Sequence, residues 1–195
     1  MWQAGVVPVD PNAIATWANA VTVGRILVSP LMFLVVPEQA GGSWWAAVLW
    51  TLLCSSDGID GYLARRHGAT RSGAFLDPLA DKVLVLGAMF TLVSRGIFWV
   101  VPVLIIAVRE IAISMYRVLA GAKGISVPAS RIAKFKTVFQ QLSIGFAIAP
   151  LTTQDATWLW LGLLWLSVVL TSVSGLQYLW RARRLAKQQV AEKGM

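Results

Sequence analysis

An all-α integral membrane bundle of six transmembrane helices is the fold class this sequence predicts, on three observations. Of its 195 residues 57% are hydrophobic and 13% charged, with a mean hydropathy of +0.67, whereas a soluble domain carries about 25% charged residues. Six apolar stretches approach the roughly 20 residues that a helix needs to cross the hydrocarbon core, at about 19–37, 44–65, 73–94, 97–120, 135–152 and 157–180. The basic residues between them gather at one end. This composition excludes a disordered chain. Cys54 is the only cysteine, which excludes an internal disulfide framework. A net charge of +8 invites a nucleic-acid reading, but the Lys and Arg lie between apolar segments rather than on one soluble face, so no nucleic-acid partner is expected. No internal repeat stands out, and residues 1–195 read as a single domain.

Residues 1–18 contain Gly5, Pro8 and Pro11 and no Lys or Arg. Without the basic n-region of a signal peptide, they read as an interfacial segment with a short helix at about 12–17. Span one places Asn19, Thr22 and Arg25 in its first half. Span two is apolar from Trp44 to Leu53 and then turns polar at Ser55, Ser56, Asp57 and Asp60. Span three opens with Asp77, Asp81 and Lys82 and is apolar thereafter. Span four is apolar from Ile97 to Val108 and then carries Arg109 and Glu110. Span five starts with Lys136, Thr137, Gln140 and Gln141 and ends apolar. Span six precedes a basic tail at 181–195. Turns are expected at 37–43, 94–97 and 151–156, most of them marked by Gly or Pro, and Pro30 and Pro102 read as kinks in their helices.

Thirteen basic residues fall at one end: Arg65, Arg66, Arg71, Arg117, Lys123, Arg131, Lys134, Lys136, Arg181, Arg183, Arg184, Lys187 and Lys193. Arg95 stands alone at the other. This bias predicts that both termini are cytoplasmic and that the cell membrane is crossed several times. In each of the first five spans the polar half is then the cytoplasmic half. A central Asp, Lys or Arg costs about 2.5–3.5 kcal/mol on insertion scales and normally faces a bundle interior or a wet cavity. A polar cavity open to the cytoplasm and capped outside by apolar helix ends follows. Trp44, Trp45, Trp99, Trp158 and Trp160 read as an outer aromatic belt, and Trp50 and Trp165 as core.

Four of the nine acidic residues are Asp57, Asp60, Asp77 and Asp81. The first pair is spaced i,i+3 and the second i,i+4, so each shares one helix face. Gly61, Ala64 and Gly73 lie on the same stripes, where small residues let a bulky ligand approach the backbone. A turn near residues 66–72 would make the two helices antiparallel neighbours and bring the carboxylates together. Four carboxylates in a poorly hydrated site do not all ionise unaided, and two divalent cations would balance them. All-oxygen ligation suits Mg²⁺ or Mn²⁺, and with His67 the only histidine a zinc site is not expected. Paired metals recur as clamps on phosphoryl groups in displacement reactions. The plainer alternative makes these aspartates helix caps or salt-bridge partners of Arg65, Arg66 and Lys82.

The run Asp57-x-x-Asp60-Gly61-x-x-Ala64-Arg65, then seven residues, then Gly73-x-x-x-Asp77-x-x-x-Asp81 resembles the signature of the CDP-alcohol phosphotransferases, membrane enzymes of phospholipid synthesis. The resemblance implies a six-helix bundle, usually a homodimer, with a binuclear metal site facing the cytoplasm. By that similarity Asp57, Asp60, Asp77 and Asp81 hold the metals, and Asp81 also takes the proton of the incoming hydroxyl. Gly61, Ala64, Arg65 and Gly73, with Asn19 and Thr22 of span one, hold the CDP part of the donor, CDP-diacylglycerol.

The stretches from Asn19 to Arg25, Leu76 to Lys82, Val108 to Arg117 and Arg131 to Thr137 resemble the branch of that family whose acceptor is glycerol 3-phosphate. A pocket for that dianion needs Arg or Lys reaching phosphate oxygens, and the candidates are Arg109, Arg117, Lys134 and Arg131. For Lys134, Lys136 and Arg131 the alternative is an ordinary positive-inside loop. For Arg109 it is a buried pair with Glu110 or with a motif carboxylate. Other acceptors within the family (phosphatidylglycerol, inositol phosphate, serine) stand as alternatives. So does a cation transporter, against which the closed apolar outer halves argue. A non-catalytic scaffold leaves the paired Asp–Gly stripes unexplained.

Overall fold

The computed structural model describes the backbone at residues 17–37, 41–67, 71–122 and 131–193, and side chains at 20–37, 41–56, 78–120, 135–181 and 184. The expected interfacial segment at 1–18 and its helix at 12–17 lie outside the described residues, apart from the helical backbone of residues 17 and 18. Among the described residues there are six α-helices and no strand: α1 (Trp17–Val35), α2 (Trp44–His67), α3 (Arg71–Ser94), α4 (Val100–Ala122), α5 (Arg131–Ile148) and α6 (Thr157–Lys193). Each corresponds to one expected span.

Local chemistry explains the boundaries. α1 stops ahead of Pro37, because the residue before proline is pushed out of the helical region. α2 starts on Ser43, whose hydroxyl accepts from Ala46 N at 3.3 Å as an N-cap. Just before it, Gly42 has φ +67°, and a Cβ there would lie 2.7 Å from Pro150 N, so only glycine fits. α3 ends in a Schellman motif: Ile97 N donates to Leu92 O (2.9 Å), Gly96 N donates to Val93 O (3.0 Å), and Gly96 holds φ +70°. Pro102 is the third residue of α4. The first four N–H groups of a helix have no intrahelical acceptor, so Pro102 costs the helix no hydrogen bond and gives no reason for the expected kink. α6 runs on to Lys193 where a separate tail was expected. Residues 181–193 hold strong helix formers and neither Gly nor Pro, so nothing stops the helix.

The helices form a ring in the order α1, α2, α5, α6, α4, α3 and back to α1, with α3 also touching α5 across the middle. At one end the interior is a continuous apolar core that includes Met32, Trp50, Leu84, Met89, Leu92, Ile106, Ile144 and Leu164. Phe98 and Trp160 stack there at 5.6 Å. Trp160 is therefore core rather than belt, whereas Trp44, Trp45, Trp99 and Trp158 are exposed at that same end as expected. Trp50 is buried, with its Nε1 donating to Gln141 O at 3.0 Å; Trp165, expected inside, faces outward.

The buried stripes change chemistry along their length. On α1 the stripe reads Thr22, Arg25, Ser29, Met32 and continues to Val36 just past its end; on α5 it reads Lys136, Gln140, Ser143, Ile144, Ala147, Ile148. Both follow helical spacing, and both start polar and end apolar. Outward faces are apolar on all six helices, as at Leu34, Leu52, Phe90, Val108, Leu142 and Leu176. Among the described residues one helix, Thr157–Arg181, is long and apolar enough to cross a membrane, while Ala20–Val35 and Trp44–Ser56 are shorter apolar helices.

Candidate functional site

The polar interior starts where α1 meets α2. Arg25, 2% exposed, donates from Nε to Ser56 Oγ at 3.2 Å. Ser56 Oγ donates on to Leu53 O (2.7 Å), and Ser29 Oγ donates to Arg25 O (2.7 Å). Arg25 thus ties α1 to the residue immediately before Asp57. Thr22, expected to contact a nucleotide, lies one turn earlier on the same stripe and is fully buried.

α2 and α3 are helical through all four acidic positions, which keeps Asp57 and Asp60 on one face and Asp77 and Asp81 on another. Among the described residues α1 packs against both α2 and α3, and the expected pairing of the two helices at their acidic ends falls on residues 57–77, whose side chains lie outside the described residues. Their ends are close, because the segment from His67 to Arg71 reaches at most about 14 Å even when extended. Asp81 is half-buried, next to fully buried Ala80. The side chains of Asp57, Asp60, Ala64, Arg65 and Asp77, the surroundings of Gly61 and Gly73, and the side chains of Asn19, Arg131 and Lys134 lie outside what the structure describes. Among the described residues no three His, Cys, Asp or Glu side chains form a metal-holding group. The donor set that the two helices bring to this end is carboxylate oxygen, which fits a hard divalent cation.

Beside Asp81, on α3, α4, α5 and α6, lies a cationic cluster. Glu110 Oε1 accepts from Arg109 Nη1 at 2.9 Å and from Lys136 Nζ. Arg109 Nη2 donates to Ser174 Oγ at 2.8 Å. Ser114 Oγ donates to Glu110 O at 2.6 Å and accepts from Lys82 Nζ. The side chains of Lys136, Glu110 and Arg109 are 7%, 12% and 14% exposed, which decides that they are interior groups. Gly175 makes room for Arg109: a Cβ there would sit 3.2 Å from Arg109 Nε. Of the expected phosphate contacts, Arg109 is inside this cluster, already paired with Glu110, and Arg117 is exposed. Lys136 is no ordinary loop cation. Its position at the head of the α5 buried stripe, four residues before Gln140, is the signal that could have found it.

A groove of about 430 Å³ runs between α2 and α5, lined by Trp50, Thr51, Cys54, Ser55, Leu142 and Phe146 among others. Cys54 is half-buried and packs against the core, as a small hydrophobe does.

The model of the CDP-alcohol phosphatidyltransferase family matches residues 15–173. A probable phosphatidylglycerophosphate synthase of Mycobacterium tuberculosis is 36% identical over 178 residues, 88% of this chain and 83% of its own. Two proteins named CDP-diacylglycerol–glycerol-3-phosphate 3-phosphatidyltransferase are also similar. That of Pseudomonas fluorescens is 37% identical (83% of this chain, 87% of its own), and that of Cereibacter sphaeroides 29% identical (88% and 97%).

Proposed function

The chain belongs to the CDP-alcohol phosphatidyltransferase family, and from that premise we propose that it transfers the phosphatidyl group of CDP-diacylglycerol to glycerol 3-phosphate. The products are phosphatidylglycerophosphate and CMP. The observation that carries this choice of acceptor is the buried Arg109–Glu110–Lys136 cluster, joined through Ser114 to Lys82, the residue after Asp81. A cationic interior next to the signature carboxylates suits an acceptor that carries a phosphate. The names of the relatives point to the same reaction.

In this reading the protein crosses the membrane six times with both termini cytoplasmic, as a homodimer, and its polar half opens to the cytoplasm. The apolar outward faces meet lipid. The α2/α5 groove reaches Ser55, two residues before Asp57, and gives a lipid tail a place beside the site. The family generally depends on divalent metal, and Asp57, Asp60, Asp77 and Asp81 would hold two Mg²⁺ or Mn²⁺ ions. When bound, those ions supply charge neutralisation at the pyrophosphate oxygens. Gly61, Ala64, Arg65, Gly73, Asn19 and Thr22 hold the nucleotide part. Arg109 and Lys136 bind the acceptor phosphate, with Arg117, Lys134 and Arg131 at its entrance. Asp81 takes the proton as the acceptor oxygen attacks the phosphatidyl phosphorus. The bond to the CMP oxygen breaks, and CMP leaves with the electron pair.

The test is CMP release by purified protein with CDP-diacylglycerol, Mg²⁺ or Mn²⁺ and a panel of acceptors. Release with glycerol 3-phosphate is expected. Release with phosphatidylglycerol, inositol phosphate or serine alone overturns the choice of acceptor. Ion flux without CMP overturns the family's chemistry for this chain.

A further inference from the structure

We infer that Glu110, to which the reaction gives no role, is a positioning residue that sets the acceptor phosphate site by holding Lys136 and Arg109 in place. The inference rests on the acceptor reading above and deepens it. Glu110 is the hub of the cluster. Its Oε1 receives Lys136 from α5 and Arg109 from α4; Arg109 continues to Ser174 on α6, and the Glu110 carbonyl receives Ser114, which receives Lys82 from α3. The Glu110 carboxylate therefore ties α4 to α5 and, through Arg109, to α6, while its backbone carbonyl reaches α3 through Ser114, at the end of the bundle where Asp81 lies.

Charge arithmetic gives the purpose. Lys82, Arg109 and Lys136 bring three positive charges and Glu110 one negative; Arg117 and Asp81, which also act on Lys82, cancel each other, so the surplus is two. Charge left unmatched in a poorly hydrated bundle is costly. A phosphate monoester brings about −1.5 to −2 near pH 7 and closes the balance; an acceptor without a phosphate leaves it open. Without Glu110 the surplus is three, and Lys136 and Arg109 lose the group that fixes their side chains, so both their repulsion and their freedom increase. Glu110 thereby selects for an acceptor of two charges and orders the cations before it arrives.

The test is a double-mutant cycle on steady-state kinetics of the full chain in CDP-diacylglycerol mixed micelles. Glu110→Gln keeps the shape and removes the charge; it is expected to raise the glycerol 3-phosphate KM at least tenfold and leave the CDP-diacylglycerol KM within twofold. Lys136→Met is expected to do the same, and the Glu110→Gln/Lys136→Met pair to be no worse than either single variant, because residues acting as a unit are not additive. Should Glu110→Gln alone not fold, the double variant, with both charges gone, is compared with Lys136→Met, and equal acceptor KM values are expected. An unchanged acceptor KM, a parallel rise in both KM values, or additive effects overturns the inference. If the wild-type chain releases CMP only with another acceptor, the reading of the acceptor falls instead, and the same cycle on that acceptor's KM still decides the role of Glu110.

Discussion

The two ends of this bundle use the same helices and the same spacing of buried residues, yet they are held together differently. At the end marked by exposed Trp44, Trp45, Trp99 and Trp158 the interior is Met89, Leu92, Ile106, Leu164 and the Phe98–Trp160 stack. Lipid tails are as apolar as these side chains, so there the helices associate by shape and dispersion. At the other end Arg25, Glu110, Lys136, Gln140 and Ser174 each have a named partner on another element. A buried polar group without its partner is costly, so these contacts specify which helix faces which. Shape packing tolerates substitution with a graded loss of stability, and the polar contacts couple to chemistry. The apolar end is a closure and the polar end carries the proposed site.

The sharpest way to break this contrast is at Asp81. Asp81→Asn is expected to lower CMP release about a thousandfold, the scale of a lost general base, with CDP-diacylglycerol binding and thermal stability kept. Full activity in that variant removes Asp81 from the mechanism. A chelator is expected to abolish turnover in the wild type and Mg²⁺ or Mn²⁺ to restore it, read by the same CMP assay. Next comes the buried cation: Arg109→Ala is expected to raise the acceptor KM about tenfold to a hundredfold, the scale of a lost charged hydrogen bond. Exposed Arg117→Ala is expected to change it less than about threefold. Equal effects would erase the distinction between interior and rim cations.

At the apolar end the signs reverse. Leu164→Ala is expected to cost about 2 kcal/mol or more of stability, measured as a lower unfolding temperature in detergent, with both KM values unmoved. The smallest effect is expected at Gly87, where a Cβ would lie 2.2 Å from Phe33 Cζ across the α1–α3 contact. Gly87→Ala should lower the unfolding temperature by the equivalent of about 1–2 kcal/mol, and adding Phe33→Ala should remove that clash. A kinetic defect in Leu164→Ala or Gly87→Ala would show that the closure and the proposed site are coupled.

Much of this contrast is legible in the residues. The switch from Leu53 to Ser55, Ser56 and Asp57 marks where the interior turns polar, and the spacing of the Asp–Gly stripes carries the family. The role of Lys136 is not legible in the same way. A lysine in the basic run from Arg131 to Lys136 reads as a loop cation, and its burial depends on Glu110, 26 positions earlier. Trp160 and Trp165 were exchanged between surface and core, because both sit in an apolar run whose period does not say which face meets Phe98.

Composition, helical period and the placement of Lys and Arg determined the class of fold, the number of helices and the end that carries the carboxylates. These are local or summed properties: a segment's length and polarity set whether it becomes an apolar helix, whatever its neighbours are. The order of the ring, with α1 packed against both α2 and α3, and the convergence of Lys82, Arg109 and Lys136 on Glu110 were decided only by tertiary packing. Which side chains meet depends on how distant helices rotate and cross, and that is settled by the sum of all their contacts at once.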